Sequence, residues 1–198
     1  MKNYYDYIKI FANVIPEEHL EFLNKYSLDH KDNTSPALIG FGPMENQSEN
    51  LEYRNTNWIT TTPDLRYNIE SGIRSLYNES LQSVYGREIV SFEPAQILHY
   101  PLNGKYDTHN DCEIFVDGNL KRSANRDISV ICFLNDDYEG GELEFTLLGL
   151  KITPKRGMII TFPSYFEFTH RVHPVTRGDR FSVVAWIETN EPIYSRKK

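Results

Sequence analysis

The chain has 198 residues, enough for one domain with a sizeable core. It is 39% hydrophobic and 25% charged, as globular proteins are, and its 13 Tyr and 11 Phe suit a β-rich interior. A formal net charge of −7 and a pI near 5.4 argue against a nonspecific nucleic-acid binder, which needs a basic surface to displace counterions from phosphates.

At the N-terminus, residues 4–11 (YYDYIKIF) read as a first strand. Asp6 and Lys9 fall inside any would-be signal-peptide core, and no run is long enough to span a membrane. The expectation is a soluble, cytoplasmic protein of a microbial cell or a virus-infected host cell, with no membrane partner. Pro16 opens a helix, since its missing N–H costs nothing in a first turn, and Glu17 and Glu18 suit the positive end of the helix dipole. Leu20, Leu23 and Tyr26 give that helix a short apolar stripe. Residues 29–57 read as a long loop with one short strand at Ala37–Phe41. A second helix follows over 63–85, with Thr62 as N-cap, Pro63 in the first turn, and Gly86 as its stop. Leu65, Ile69, Ile73, Leu76, Leu81 and Val84 form its apolar face.

From residue 87 the pattern turns to strands, at 89–100, 105–111, 127–135, 142–147, 150–153, 157–162, 168–173 and 180–188. Eight such strands in two sheets make a jelly roll. The fold class is therefore mainly β with supporting α-helices. Residues 1–198 form a single domain, with 1–86 as N-terminal strand and supporting helices and 87–198 as the jelly-roll core. The segment 112–126 is polar and reads as a loop near the mouth of any site, either a surface loop or a substrate-facing cover. Cys112 and Cys132 make no disulfide scaffold and point to a reducing compartment.

The chemistry gathers in two stretches. In YPLNGKYDTHND (100–111), His109 and Asp111 stand two apart, so on an extended strand they share a face and can reach one metal ion. An imidazole and a carboxylate are two of the three ligands of a facial-triad iron site. Taken alone the pair is also compatible with a solvated strand end. Asn110 reads as a solvated spacer, and Cys112 has the opposite parity. The second stretch, FPSYFEFTHRVHPVTRGDRFSVVAWIE (162–188), supplies His170 and, ten residues on, Arg180. His99 and His173 compete for the third ligand place. His99 has no carboxylate two residues on, and His173 has the opposite parity to His170, so His170 is preferred. Arg180, Ser182, Val184 and Trp186 share one face, taken as the interior.

These stretches, with FLNDDYEGGELEF (133–145) between them, resemble the 2-oxoglutarate and Fe(II)-dependent dioxygenases in their prolyl 4-hydroxylase branch, over about Ala95 to Glu188. The resemblance implies a double-stranded β-helix, cupin-like in form. It implies His109, Asp111 and His170 as metal ligands, with Fe(II), 2-oxoglutarate and O2 as cofactor and cosubstrates and ascorbate as an accessory reductant. Arg180 would hold the distal carboxylate of 2-oxoglutarate, a role its always-charged, two-pronged guanidinium suits, and Tyr100 would share it. Tyr106, Arg126 and Trp186 would line the substrate mouth, although both aromatics also fit a core. Two positions depart from the collagen-type pattern: Arg180 stands where Lys is frequent, and Leu143 where Thr is frequent. The expected function is hydroxylation of a C–H bond with release of succinate and CO2, on a prolyl residue of a peptide or protein. The alternatives are a free amino acid or other small molecule as substrate and, in another class, a jelly-roll metal-binding module without catalysis. Zinc suits such ligands too; the Arg180 anchor favours the oxygenase.

Overall fold

The computed structural model describes residues 3–39 and 48–193. After a 3-10 turn at Tyr4–Tyr7, the chain forms β1 (Lys9–Phe11), α1 (Glu17–His30), β2 (Thr34–Pro36), β3 (Arg54–Asn55) and β4 (Asn57–Ile59). Helix α2 (Pro63–Leu76) runs through a π-turn at Tyr77–Leu81 into α3 (Gln82–Tyr85). Then come β5 (Ile89–Tyr100), β6 (Lys105–His109), β7 (Glu113–Val116), β8 (Asn119–Arg122), β9 (Ile128–Phe133), β10 (Glu139–Gly140), β11 (Leu143–Phe145) and β12 (Leu150–Ile152). The last four are β13 (Ile159–Pro163), β14 (His170–Val172), β15 (Val175–Arg177) and β16 (Arg180–Thr189).

Two antiparallel sheets dominate. The larger has the order β1-β13-β9-β16-β5-β4-β2, the smaller β12-β11-β14-β6-β3, and β10-β15 and β7-β8 make two-stranded ribbons. This is a jelly roll. Its central strands are buried on both faces, so they read as nearly continuous apolar runs. On β16, Phe181, Val183, Ala185 and Ile187 face the helices, whereas Val184 and Trp186 face the space between the sheets. The helix-side core adds Leu65, Ile73, Tyr77, Leu81 and Tyr85, four of them spaced by four residues. The Thr62 hydroxyl caps α2 by accepting from Leu65 N at 3.2 Å, and Gly86 ends the helical run at φ 63°, a left-handed conformation glycine takes without a Cβ penalty.

Three local expectations are corrected. The N-terminal strand is confined to Lys9–Phe11, because Asn3 caps a 3-10 turn over Tyr4–Tyr7. The strand expected at Ala37–Phe41 lies earlier, at Thr34–Pro36, paired with β4; Gly40 and Phe41 lie outside the described residues. The segment 112–126 is a hairpin rather than a loop. Asp117 (φ 52°) and Gly118 (φ 74°) form its two-residue turn, for which Asp-Gly between alternating apolar residues is the usual signal. Among the described residues no helix is long and apolar enough to cross a membrane. Both cysteines are free and buried.

Candidate metal and cosubstrate site

His109 ends β6 and His170 opens β14, and the two are direct cross-strand partners. Their rings lie 4.4 Å apart. Asp111 reaches the same point by a different route from the one its parity suggests. It lies beyond the end of β6, in a turn where Asn110 Oδ1 accepts from Cys112 N at 3.2 Å and Glu113 N at 2.7 Å. Asn110 is thus a spacer with a structural task. Asp111 N–H donates to the Ser164 carbonyl at 3.1 Å, and Ser129 Oγ donates to Asp111 Oδ2 at 2.6 Å. The result sets His109 Nε2 3.7 Å from Asp111 Oδ1 and His170 Nε2 3.9 Å from Asp111 Oδ2. All three ligand atoms lie within 4.8 Å of one another.

The donor chemistry fits a divalent metal. Each histidine has its Nδ1 against a backbone carbonyl, His109 on Asp107 O at 2.7 Å and His170 on Phe168 O at 2.9 Å. That contact fixes Nδ1 as the protonated nitrogen and leaves Nε2 as a lone-pair donor. Burial, reinforced by the neighbouring His170, pushes the His109 pKa down to about 3, so the ring is neutral as a ligand must be. Burial disfavours the Asp111 carboxylate, but His170, His109 and Arg126 together outweigh it and hold its pKa below the ordinary value. His173 is elsewhere, bonded to Glu144 at 2.7 Å, and His99 is paired with Asp179 at 2.6 Å.

The site opens into a cavity of about 890 Å³. On its far wall Arg180 is only 1% exposed. Its Nη1 donates to Ser182 Oγ at 3.2 Å, its guanidinium carbon lies 4.4 Å over the Tyr100 ring and 5.0 Å over Phe133, and its Nε has no partner. The half-buried Tyr138 phenol lies next to Arg180. Among the described residues no carboxylate is paired with this guanidinium. A buried cation with unmade hydrogen bonds is costly, and an anionic ligand relieves that cost. Two features hold it in place. Asn135 brackets it, donating to Asp179 O and accepting from Phe181 N, both at 2.8 Å. Gly141, at φ 65°, leaves room for its stem, since a Cβ there would sit 2.8 Å from Arg180 Cδ.

Tyr106, Arg126 and Trp186, the residues expected at the substrate mouth, all line this cavity. Tyr106 stacks on His109 at 3.5 Å, although an odd spacing should put them on opposite faces. A bulge in β6 adds one residue between the pairs His170–His109 and Val172–Tyr106 and brings them to one face. Trp186 is 9% exposed, and Arg126 lies 3.8 Å over its ring. Arg126 is already engaged. Its Nε and Nη2 donate to the two oxygens of Glu93, the former at 2.6 Å, and its Nη1 donates to Asp111 O at 3.2 Å. Ser129, Asn135, Glu93 and Arg54 were not singled out in the sequence. No spacing marks them, because each acts through partners distant in the chain.

Three donors that converge on one point share one cavity with a buried guanidinium, the set of groups that an iron- and 2-oxoglutarate-type oxygenase needs. Residues 95–188 match the model of the 2OG-Fe(II) oxygenase superfamily. It is 34% identical over 148 residues to a PKHD-type hydroxylase of Colwellia psychrerythraea, covering 73% of this chain and 64% of that protein. It is 45% identical over 74 residues to prolyl 3-hydroxylase 2 of Rattus norvegicus, covering 35% of this chain and 10% of that one. The chain thus spans less than two-thirds of the length of either relative. Its fold is similar to that of a Trichoplax adhaerens prolyl hydroxylase solved with a hypoxia inducible factor peptide fragment, with TM-score 0.72, 18% identity and coverage of 92% of this chain and 84% of that one.

Proposed function

We propose that the chain is an Fe(II)- and 2-oxoglutarate-dependent hydroxylase acting on a prolyl residue of a peptide or protein. The observation that carries this reading is Arg180, a buried guanidinium with no carboxylate partner among the described residues, in one cavity with the convergent His109, Asp111 and His170. A metal-binding module without catalysis has no use for it. The likeness to hydroxylases and to a peptide-bound prolyl hydroxylase fold supports a peptide substrate.

In this reading His109, Asp111 and His170 would hold the iron. Arg180 pairs with the distal carboxylate of 2-oxoglutarate, with Tyr100 beneath it. Tyr106 and Trp186 form apolar walls at the mouth, and Arg126 meets the peptide by sharing the donors now on Glu93. When bound, iron with 2-oxoglutarate and O2 supplies the oxidant; the C–H bond gains one oxygen atom, and the cosubstrate leaves as succinate and CO2. The protein orients the substrate and excludes water.

The test is 2-oxoglutarate turnover against a panel of proline-containing peptides, read by mass for a gain of one oxygen. Stimulated succinate release with the oxygen on proline is the expected result. Stimulation by free amino acids and none by peptides would move the assignment to a small-molecule hydroxylase.

A further inference from the structure

The cavity holds a third guanidinium, beside those of Arg180 and Arg126, that the scheme above does not use. Arg54, on the edge strand β3 of the smaller sheet, is 7% exposed and lies in the cavity wall. Its Nη1 donates to the Leu38 carbonyl at 2.8 Å, its Nε has no partner, and its carbon stands 4.4 Å over the Tyr106 ring, which itself stacks on His109. We infer that Arg54 binds a carboxylate of the peptide substrate beside the residue to be hydroxylated; the peptide part of this inference rests on the prolyl reading.

Charge matching leads here. Among the described residues the cavity wall carries three carboxylates, Glu93, Asp111 and Glu113. Glu93 is committed to Arg126, Asp111 belongs to the ligand set, and Glu113 accepts from Phe166 N at 2.7 Å. Two guanidiniums are left without a carboxylate among the described residues. Arg180, on the larger sheet, suits the cosubstrate. Arg54, on the smaller sheet and next to the aromatic that covers a metal ligand, is left for the substrate. Stacking on Tyr106 offsets only part of the cost of burying this cation, and a carboxylate would supply the fork–fork contact it lacks. A side-chain carboxylate of Asp or Glu and the carboxylate of a peptide C-terminus present the same chemistry.

The experiment measures the anisotropy of fluorescent proline peptides on the iron- and 2-oxoglutarate-loaded protein without oxygen, with hydroxylation followed separately by mass. One arm pairs an amidated peptide carrying Asp next to proline with its Asn counterpart; the other pairs a neutral peptide with a free C-terminus with its amide. In one of these arms the charged peptide should bind about tenfold tighter, and Arg54→Gln should erase the preference while 2-oxoglutarate affinity is kept. Arg54→Lys should keep part of it. Equal binding of charged and neutral peptides in both arms overturns the inference, a result the wild-type protein gives even if Arg54→Gln does not fold. So does a preference that survives Arg54→Gln. A preference for charge with no oxygen gained on proline leaves Arg54 in place and removes the prolyl reading instead; oxygen gained on charged and neutral peptides alike, with equal binding, does the reverse.

Discussion

At the scale of single residues, the site is decided by which buried charges have partners. Arg180 is 1% exposed and its guanidinium is satisfied on one side only, by Ser182 and the Tyr100 ring. In the proposed complex the distal carboxylate completes it, and removing one partner of such a buried pair costs about 3–5 kcal/mol. Arg180→Ala should therefore weaken 2-oxoglutarate binding by orders of magnitude and leave metal affinity nearly unchanged, because no ligand atom bonds to it. Calorimetric titration of each in turn checks this, and unchanged 2-oxoglutarate affinity would refute the anchor. Glycine matters here for one reason: Gly141 gives the arginine stem its path, while Gly149 has a similar φ of 63° and nothing near its Cβ position. The Gly-Gly pair in the sequence thus reports a close approach as well as a turn.

At the scale of elements, the turn after β6 is the device that aims Asp111. Asn110 Oδ1 takes two backbone N–H groups that otherwise lose their partner, and each buried unmet donor costs about 1–3 kcal/mol. Asn110→Ala should lower stability by about 1–3 kcal/mol for each donor left unmet and weaken metal binding, whereas Asn110→Asp, which keeps the acceptor, should recover the stability. Urea unfolding with and without metal measures both; an Ala variant with full stability would mean the turn holds itself. The same turn shows what sequence makes legible. The long strands Ile89–Tyr100 and Arg180–Thr189 were readable because their apolar runs stop at Gly, Pro and Asn. Convergence of His109 with Asp111 was readable as well, but strand parity was not its cause, since β6 ends at His109. The bulge that sets Tyr106 over His109 left no mark in the periodicity. The hairpin did leave one, Asp117-Gly118 between Phe115, Val116 and Leu120, and the charged residues around it masked the signal. Arg54 was hidden in what read as a loop, because a two-residue edge strand carries no pattern of its own.

At the scale of the whole molecule, the larger sheet separates two cores with different tasks. One lies between it and the helices and includes Leu81, Tyr85 and Phe181; the other lies between the sheets and includes Phe145 and Phe162. The second packs on a ligand ring: Phe162 and Phe145 stand 4.9 and 5.9 Å from the His170 ring, and Phe145 is the cross-strand partner of His170. Both Leu81 and Phe145 are fully buried, so truncation of either leaves a cavity, costing about 2–5 kcal/mol for Leu→Ala and about 3–5 for Phe→Ala. Stability alone therefore does not tell the two variants apart, and metal affinity should. Leu81→Ala removes a support behind the sheet, where rigid strands stand between the cavity and the ligands. Phe145→Ala frees the face of His170 and lets the imidazole turn away from the convergence point. Measured well below the unfolding transition, Leu81→Ala should bind metal as the wild type does, and Phe145→Ala should bind it more weakly. Equal loss of metal affinity in both would mean that the two cores move as one body and that the helices take part in holding the site.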